Sequence, residues 1–151
     1  MNKATESTLT IDGRTVAIEG EQNLLELVRK ANIDLPTFCY HSELSVYGAC
    51  RLCLVQVEGR GISGACSTPP EPGLKVLTTT PEIREIRKIA VELLLANHDQ
   101  SCPTCSRSAN CQLQSLAQRL GIKKVRFKSV HQPVPLDESS PSLAVSYTHL
   151  P

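Results

Sequence analysis

The pattern of hydrophobic and polar residues changes along the chain, and each change predicts a structural element. Residues 9–20, LTIDGRTVAIEG, alternate between apolar and polar side chains on both sides of Asp12-Gly13. Alternation is typical of a strand with one buried face, and an Asp-Gly pair is suited to a tight type I′ turn. The segment therefore predicts a β-hairpin.

Residues 23–32, NLLELVRKAN, follow a helical spacing instead. One helical face carries Leu24, Leu27 and Val28, with Leu25 at its flank. Asn23, with Glu26 three residues later, resembles a capping box, and Asn32 is suited to end the helix. This segment predicts a short amphipathic helix after the hairpin.

The next residues predict a loop and more strands. Residues 34–50 contain Pro36 and Gly48 and are typical of a loop. Residues 53–67 predict a strand, a glycine-rich turn and a returning strand, and residues 74–80 predict a closing strand. A hairpin, a helix, a loop and further strands within about 80 residues predict a small α+β roll.

A different pattern begins at Thr80-Pro81, where a threonine cap and a first-turn proline predict the start of a helix. Its expected apolar face consists of Ile83, Ile86, Ile89, Ala90, Leu93 and Leu94. Its expected polar face consists of Glu82, Arg84, Glu85, Arg87 and Lys88. After a cysteine-rich loop, Asn110 is suited to cap a short helix that Gly121 ends. From Lys128 onward the sequence predicts a linker or tail.

The composition directs attention to the cysteines. The chain has two Phe, three Tyr and no Trp, although aromatic side chains normally supply much of a core, and it has seven Cys. An odd cysteine count argues against a closed disulfide framework, and a reducing cytosol leaves thiols free to bind metal. A net charge of +1 gives no reason to expect binding to nucleic acid. The sequence shows neither a secretory signal nor a long apolar run, so it predicts neither export nor a membrane span.

Four cysteines have the spacing C-x10-C-x2-C-x12-C: Cys39, Cys50, Cys53 and Cys66. Small residues precede two of them, which lets backbone N–H groups approach bridging sulfides, and Arg51 adds a positive charge. Zinc ribbons usually show two C-x2-C knuckles and this set has one, so the spacing favours an iron–sulfur cluster over zinc or unliganded thiols. His41 is interpreted as a loop residue, because four cysteines already complete the set.

A second set has the spacing H-x3-C-x2-C-x5-C and consists of His98, Cys102, Cys105 and Cys111. Three cysteines and one histidine form a common structural zinc site. A single histidine near a helix end is also often a cap or a surface residue. Taken alone, this spacing leaves an iron–sulfur cluster, a zinc ion and a bystander histidine open.

Three stretches together are more specific: TFCYHSELSVYGACRLCLVQVEG, GACSTPPEPGLKV and LLLANHDQSCPTCSRSANCQLQSLAQRLGI. They closely resemble the N-terminal region of the large iron–sulfur subunit of respiratory complex I. They are equally similar to that region of the iron-only hydrogenases and NADP-reducing hydrogenase subunits. The resemblance covers about residues 8–143.

The resemblance implies a β-grasp, ferredoxin-like [2Fe–2S] domain over residues 1–80 and a small helical [4Fe–4S] domain over residues 81–128. Residues 129–151 would be a linker or tail. The implied [2Fe–2S] ligands are Cys39, Cys50, Cys53 and Cys66. The implied [4Fe–4S] ligands are His98, Cys102, Cys105 and Cys111. Inorganic clusters that organise both domains would also explain the small number of aromatic residues.

The implied function is an electron-transfer module that relays single electrons between a redox partner and a catalytic domain. The implied partner is a flavin- or NAD(P)-linked redox subunit or a ferredoxin, in a hetero-oligomer that is cytoplasmic or peripheral on the cytoplasmic face of a membrane complex. No catalytic residue is expected in this chain. The alternative is a zinc-stabilised interaction module without redox activity.

The parent enzyme stays open at this point between hydrogenase, NADH dehydrogenase and formate dehydrogenase, with the compact module favouring hydrogenase. In the hydrogenases, a stretch like PLDESSPSL leads into further cysteine motifs and a catalytic domain. Here the chain continues as AVSYTHLP, which departs from the family and resembles translated sequencing-adapter sequence. We therefore expect a fragment whose last residues, 145–151, are not native and make few packed contacts.

Overall fold

A computed structural model of the protein describes residues 7–129, 137–140 and 143–145. The expectations for the terminal stretch fall mostly on residues 146–151, which lie outside the described residues. Within the described ranges, no helix is long and apolar enough to cross a membrane.

A five-stranded mixed sheet forms the first part of the chain. Its strands are β1 Thr8–Ile11, β2 Arg14–Ala17, β3 Leu54–Val57, β4 Gly61–Gly64 and β5 Lys75–Leu77. Their order is β2-β1-β5-β3-β4, with β1 and β5 parallel and every other neighbouring pair antiparallel. This is the β-grasp order, with a helix between β2 and β3, so the predicted α+β fold class is confirmed.

The turn between β1 and β2 has the predicted geometry. Asp12 has φ 48° and Gly13 has φ 81°, and type I′ turns require positive φ at both central positions. The Asp12 carboxylate also accepts hydrogen bonds from the Thr78 backbone N–H at 2.8 Å and from the Thr78 hydroxyl at 2.5 Å. The turn is thereby joined to the end of β5.

Helix α1, Leu24–Lys30, packs its apolar side on the sheet. The buried side chains of the helix are Leu24, Leu25, Leu27 and Val28. Burying a side chain of this size stabilises a fold by about 1.5–3 kcal/mol. The core continues through the sheet residues Leu9, Ile11, Val55, Val57 and Val76.

Both ends of α1 follow the prediction. The Asn23 side chain accepts a hydrogen bond from the Glu26 N–H at 3.1 Å, while the Glu26 carboxylate reaches back to the Gln22 N–H at 2.8 Å. Asn32 has φ 56° and lies just beyond the helix. The N–H groups of Asn32 and Ile33 bond to carbonyls of the last turn at 2.9 and 3.1 Å, which is the Schellman arrangement.

Helix α2, Pro81–Ala96, begins as predicted, because the Thr80 hydroxyl accepts a hydrogen bond from the Ile83 N–H at 3.2 Å. The predicted division into apolar and polar faces was correct for the buried Ile83 and the exposed Glu82, but wrong for three other residues. Arg87, expected on the polar face, is 6% exposed, whereas Leu93 and Leu94, expected on the apolar face, are 47% and 39% exposed. The buried residues of α2 are Ile83, Arg87, Val91 and Glu92.

The burial of two charged residues on α2 has a physical basis. The Arg87 guanidinium donates to three backbone carbonyls, and the Glu92 carboxylate accepts a hydrogen bond from Arg126 Nε at 2.6 Å. A charged side chain tolerates burial only when such partners replace water. Hydrophobic spacing alone does not reveal these partners.

Helix α3, Gln112–Arg119, is present, but its cap differs from the prediction. The residue in the cap position is Cys111, not Asn110, and its side chain makes no capping hydrogen bond. The other end is as predicted: Gly121 has φ 66°, and the N–H of Ile122 bonds to the Ala117 carbonyl at 3.0 Å. A cysteine at this position keeps its thiol available for another role.

The segment predicted to be a linker or tail contains a small hairpin. Strand β6, Asp137–Ser140, pairs antiparallel with strand β7, Leu143–Val145. The sequence showed too little alternation here to predict strands. The pairing is short and has an irregular register, which makes a two-stranded element difficult to recognise from the pattern.

Candidate iron–sulfur sites

The first four cysteines lie at one edge of the sheet and in the loop before it. Cys53 directly precedes β3, and Cys66 lies in a short 3-10 turn directly after β4. Leu54 pairs with Gly64, and the Ala65 N–H bonds to the Cys53 carbonyl at 2.9 Å, so the two cysteines are neighbours. Both are buried, at 2% exposed, whereas Cys39 and Cys50 are half-buried.

Direct contacts bring these four thiols together. The Cys50 N–H donates to Cys39 Sγ at 3.4 Å, and the Thr37 hydroxyl lies 3.9 Å from Cys50 Sγ. Burial, together with the neighbouring thiols of Cys53, Cys39 and Cys50, raises the pKa of the Cys66 thiol to about 12. The structure therefore places the four predicted thiols near one another, close enough for charges on them to interact.

Backbone donors surround the exposed side of this site. Burial by itself raises the pKa of the Cys50 thiol, but backbone hydrogen bonds at Phe38, Leu52 and Cys39 outweigh burial and lower this pKa. N–H groups directed at sulfur are what an anionic cluster requires. The left-handed backbone of Gly48, at φ 68°, and of Arg51, at φ 54°, shapes this loop, and the Arg51 side chain is exposed.

A half-buried polar contact holds the middle of the loop against helix α1. The Tyr40 hydroxyl donates to Glu26 Oε1 at 2.7 Å and accepts from Asn23 Nδ2 at 3.1 Å, while Arg29 lies over the Tyr40 ring. Tyr40 follows Cys39, so this contact joins the first thiol to the start of α1. This contact was not predicted from the sequence, although a tyrosine beside a cysteine in a chain with few aromatics was a signal.

The second set lies between α2 and α3. His98 follows the end of α2, Cys102 begins a short 3-10 turn, and Cys111 immediately precedes α3. Cys105 and His98 are exposed, and the other two are half-buried. The Arg107 N–H donates to Cys105 Sγ at 3.4 Å. In the described part of the chain, no hydrogen bond joins one of these four side chains to another.

Among the described residues, no hydrogen bond joins His41 to the first set of thiols. It is exposed, and its Nδ1 accepts a hydrogen bond from the Glu43 N–H at 3.2 Å. This local contact agrees with its interpretation as a loop residue.

A zinc ion and an iron–sulfur cluster place different demands on their ligands. Among the described residues, which include all eight expected ligands, no three His, Cys, Asp or Glu side chains are grouped to hold one metal ion. Tetrahedral zinc needs four ligands around a single ion. A [2Fe–2S] cluster takes two protein ligands per iron and a [4Fe–4S] cluster takes one, so their ligands surround a larger group.

The two sets are joined by shared packing. A small buried hydrophobic core consists of Leu52, Val91 and Leu116, and Cys50 and Leu113 also pack against it. Arg119 of α3 forms an ion pair with Asp34 in the loop before Cys39. A surface cavity of about 460 Å³ lies between these loops and is lined by Phe38, Cys111 and their neighbours. The ligand loops of the two sets thus lie side by side.

Two family models match the chain. The first, a 2Fe-2S iron-sulfur cluster binding domain, matches residues 4–81, which is more than half of the chain. The second, the NADH-ubiquinone oxidoreductase-G iron-sulfur binding region, matches residues 87–126. Each match contains one complete set of the four expected ligands.

Curated relatives are subunits of larger oxidoreductases. The mitochondrial NADH-ubiquinone oxidoreductase 78 kDa subunit of Neurospora crassa is 40% identical over 126 residues, covering 83% of this chain. The NADPH-Fe(3+) oxidoreductase subunit alpha of Geobacter sulfurreducens is 34% identical over 146 residues, covering 91% of this chain. The chain spans 17% of the length of each of these relatives.

A solved structure shows the same fold. A chain in the crystal structure of an NAD+-reducing [NiFe]-hydrogenase in the H2-reduced state superposes with a TM-score of 0.78 and 33% sequence identity. The superposition covers 91% of this chain and 58% of the hydrogenase chain. The chain therefore belongs to the 2Fe-2S iron–sulfur cluster binding family, followed by the iron–sulfur binding region found in NADH-ubiquinone oxidoreductase G, and both a [2Fe–2S] and a [4Fe–4S] cluster are its cofactors.

Proposed function

We propose that the eight expected ligands hold these two clusters. The [2Fe–2S] ligands are Cys39, Cys50, Cys53 and Cys66. The [4Fe–4S] ligands are His98, Cys102, Cys105 and Cys111. The contacts among the first four thiols support the first assignment. The second assignment is supported by the placement of all four residues between α2 and α3, within the matched iron–sulfur binding region.

We further propose that the chain is the electron-relay part of a multi-cluster oxidoreductase of the NADH dehydrogenase or hydrogenase type. When bound, each cluster supplies one-electron chemistry, because it accepts and releases a single electron. The contribution of the protein is to direct N–H groups at sulfur, to exclude water around Cys53 and Cys66, and to fix the distance between the two sites. One observation carries this proposal: Cys50 of the first set and Leu113, which follows the second set, pack against the same buried apolar residues. Electron transfer slows steeply with distance, so neighbouring ligand loops favour a relay.

The partners follow from the relatives. We propose a flavin- or NAD(P)-linked redox subunit, or a ferredoxin, on one side and a catalytic domain on the other, within a hetero-oligomer. The names of the relatives, which include NADH, NADPH and NAD+, support this choice. We place the chain in the cytoplasm, where its seven free cysteines would stay reduced. Residues 1–80 and 81–128 are proposed as the two cluster domains.

Metal analysis tests the proposal. Anaerobically reconstituted protein should be brown and contain about six iron atoms and no stoichiometric zinc, since the clusters hold two and four irons. Cys66→Ala should retain only the four-iron cluster, and Cys105→Ala only the two-iron cluster. His41→Ala is the matched control and should retain both. Two zinc ions with negligible iron would overturn the proposal.

A further inference from the structure

Arg87 of α2 is buried against the loop and strand that flank Cys53. Its Nε donates to the Leu52 carbonyl at 2.8 Å, and its Nη2 donates to the carbonyls of Leu54 at 2.5 Å and Thr78 at 2.8 Å. Leu52 and Leu54 are the residues on either side of Cys53. One guanidinium therefore fixes the backbone both before and after a cluster ligand.

The charge of Arg87 is close enough to Cys53 for the two groups to interact. Burial lowers the pKa of the guanidinium, while Cys53 and Asp12 act in the opposite direction. Asp12 accepts hydrogen bonds from the backbone N–H and the hydroxyl of Thr78, whose carbonyl in turn accepts one from Arg87. Arginine stays protonated in proteins, so a permanent positive charge lies beside Cys53, and among the described residues no carboxylate is hydrogen-bonded to Arg87. The side chain of Arg51, by contrast, is exposed, and water screens its charge.

We propose that Arg87 is a positioning residue of the [2Fe–2S] site: it holds the backbone around Cys53 and raises the reduction potential of that cluster. This inference rests on the proposed ligation by Cys53. Reduction adds one electron and makes the cluster charge more negative by one unit. A fixed positive charge in a region without water stabilises the reduced form more than the oxidised form. Arg87 also connects α2 to the first site, and His98 of the second site follows the end of the same helix.

Redox titration of the full, reconstituted chain, followed by electron paramagnetic resonance, tests this inference. Arg87→Gln removes the charge but keeps amide donors. Arg87→Lys keeps the positive charge but replaces the planar guanidinium by an ammonium group. Arg84→Gln is the matched control, because Arg84 is exposed on the same helix. We expect a more negative [2Fe–2S] potential in Arg87→Gln, a smaller shift in Arg87→Lys and none in Arg84→Gln. The [4Fe–4S] potential should shift less than the [2Fe–2S] potential in Arg87→Gln.

The outcomes separate this inference from the proposed function. A parent protein without the [2Fe–2S] signal would overturn the proposed function itself. A loaded Arg87→Gln protein with the parent potential would overturn the role of Arg87 and leave the proposed function standing. If Arg87→Gln does not retain the cluster, Arg87→Met decides, because methionine also removes the charge while filling much of the same space. A parent potential in loaded Arg87→Met would overturn the inference, and a more negative potential would support it.

Discussion

Leu52 and Val91 pack in the same small hydrophobic core, although they lie on opposite sides of the predicted domain boundary at Thr80-Pro81. Both are 0% exposed. Leu52 directly precedes Cys53, so the apolar contact between the two parts of the chain lies beside a thiol of the first site. The two parts therefore share a core at the place where their ligand loops meet.

This packing sharpens the prediction that residues 1–80 hold the [2Fe–2S] cluster alone. The five strands and α1 are all within that segment, so a protein ending at Thr80 should retain the binuclear spectrum. Its melting temperature should fall, because Leu52 becomes exposed and the Arg87 hydrogen bonds are lost. Visible spectroscopy and thermal melting measure both effects. Unfolded protein without a cluster would show that the two parts form one cooperative unit.

A substitution within this shared hydrophobic core measures how strongly the two parts of the full chain stabilise each other. Leu52→Ala should destabilise the protein by about 2–4 kcal/mol, because the large-to-small change leaves a cavity at a fully buried position. Leu44→Ala is the control. Leu44 is 68% exposed, so this change should alter the free energy of unfolding by less than about 0.5 kcal/mol. Denaturant unfolding measures both values, and equal effects would contradict the assignment of Leu52 to a shared core.

The end of α1 offers a test of backbone conformation. Asn32 has φ 56°, a conformation that asparagine and glycine tolerate and β-branched residues do not. Asn32→Val should destabilise the protein by about 1–2 kcal/mol, whereas Asn32→Gly should be close to neutral. Thermal melting compares the two variants. Equal melting temperatures would show that the helix can end without the left-handed residue.

The elements that were predictable carry their signals locally. Asp12-Gly13 determines its own turn, and Asn23, Asn32 and Thr80 bind backbone groups within a few residues of themselves. The spacing of the first four cysteines predicted a shared site, and the structure places their thiols near one another. Each of these features depends on chemistry that a short stretch of sequence displays.

The features that were missed depend on long-range contacts. Arg87 carries a charge that the helical pattern assigned to solvent, but its three acceptors are carbonyls of Leu52, Leu54 and Thr78. Glu92 is buried because Arg126 returns to α2 from beyond α3. No periodicity in α2 contains this information, since the partners come from elsewhere in the chain.

The histidine of the second set gives the most specific prediction about a single ligand. A [4Fe–4S] cluster with four thiolates carries a more negative charge than one in which a neutral imidazole replaces a thiolate. If His98 is the fourth ligand, His98→Cys should retain the cluster, because thiolate is an equally competent iron ligand and His98 lies in an exposed loop. Its reduction potential should fall, because the added negative charge opposes reduction, consistent with the higher potentials of imidazole-ligated Rieske centres. Redox titration measures the shift.

His98→Ala completes the test because alanine has no donor atom for iron. One iron would then be open to solvent, and the four-iron cluster should be lost more rapidly in air than in the parent protein, while the [2Fe–2S] signal persists. His41→Ala is again the control, since His41 is exposed and bonds only to its own loop. An unchanged potential in His98→Cys together with a stable cluster in His98→Ala would mean that His98 is a bystander. The fourth iron would then be bound by water or by another residue. His98 would be a residue that follows the end of α2 and not a ligand of the cluster.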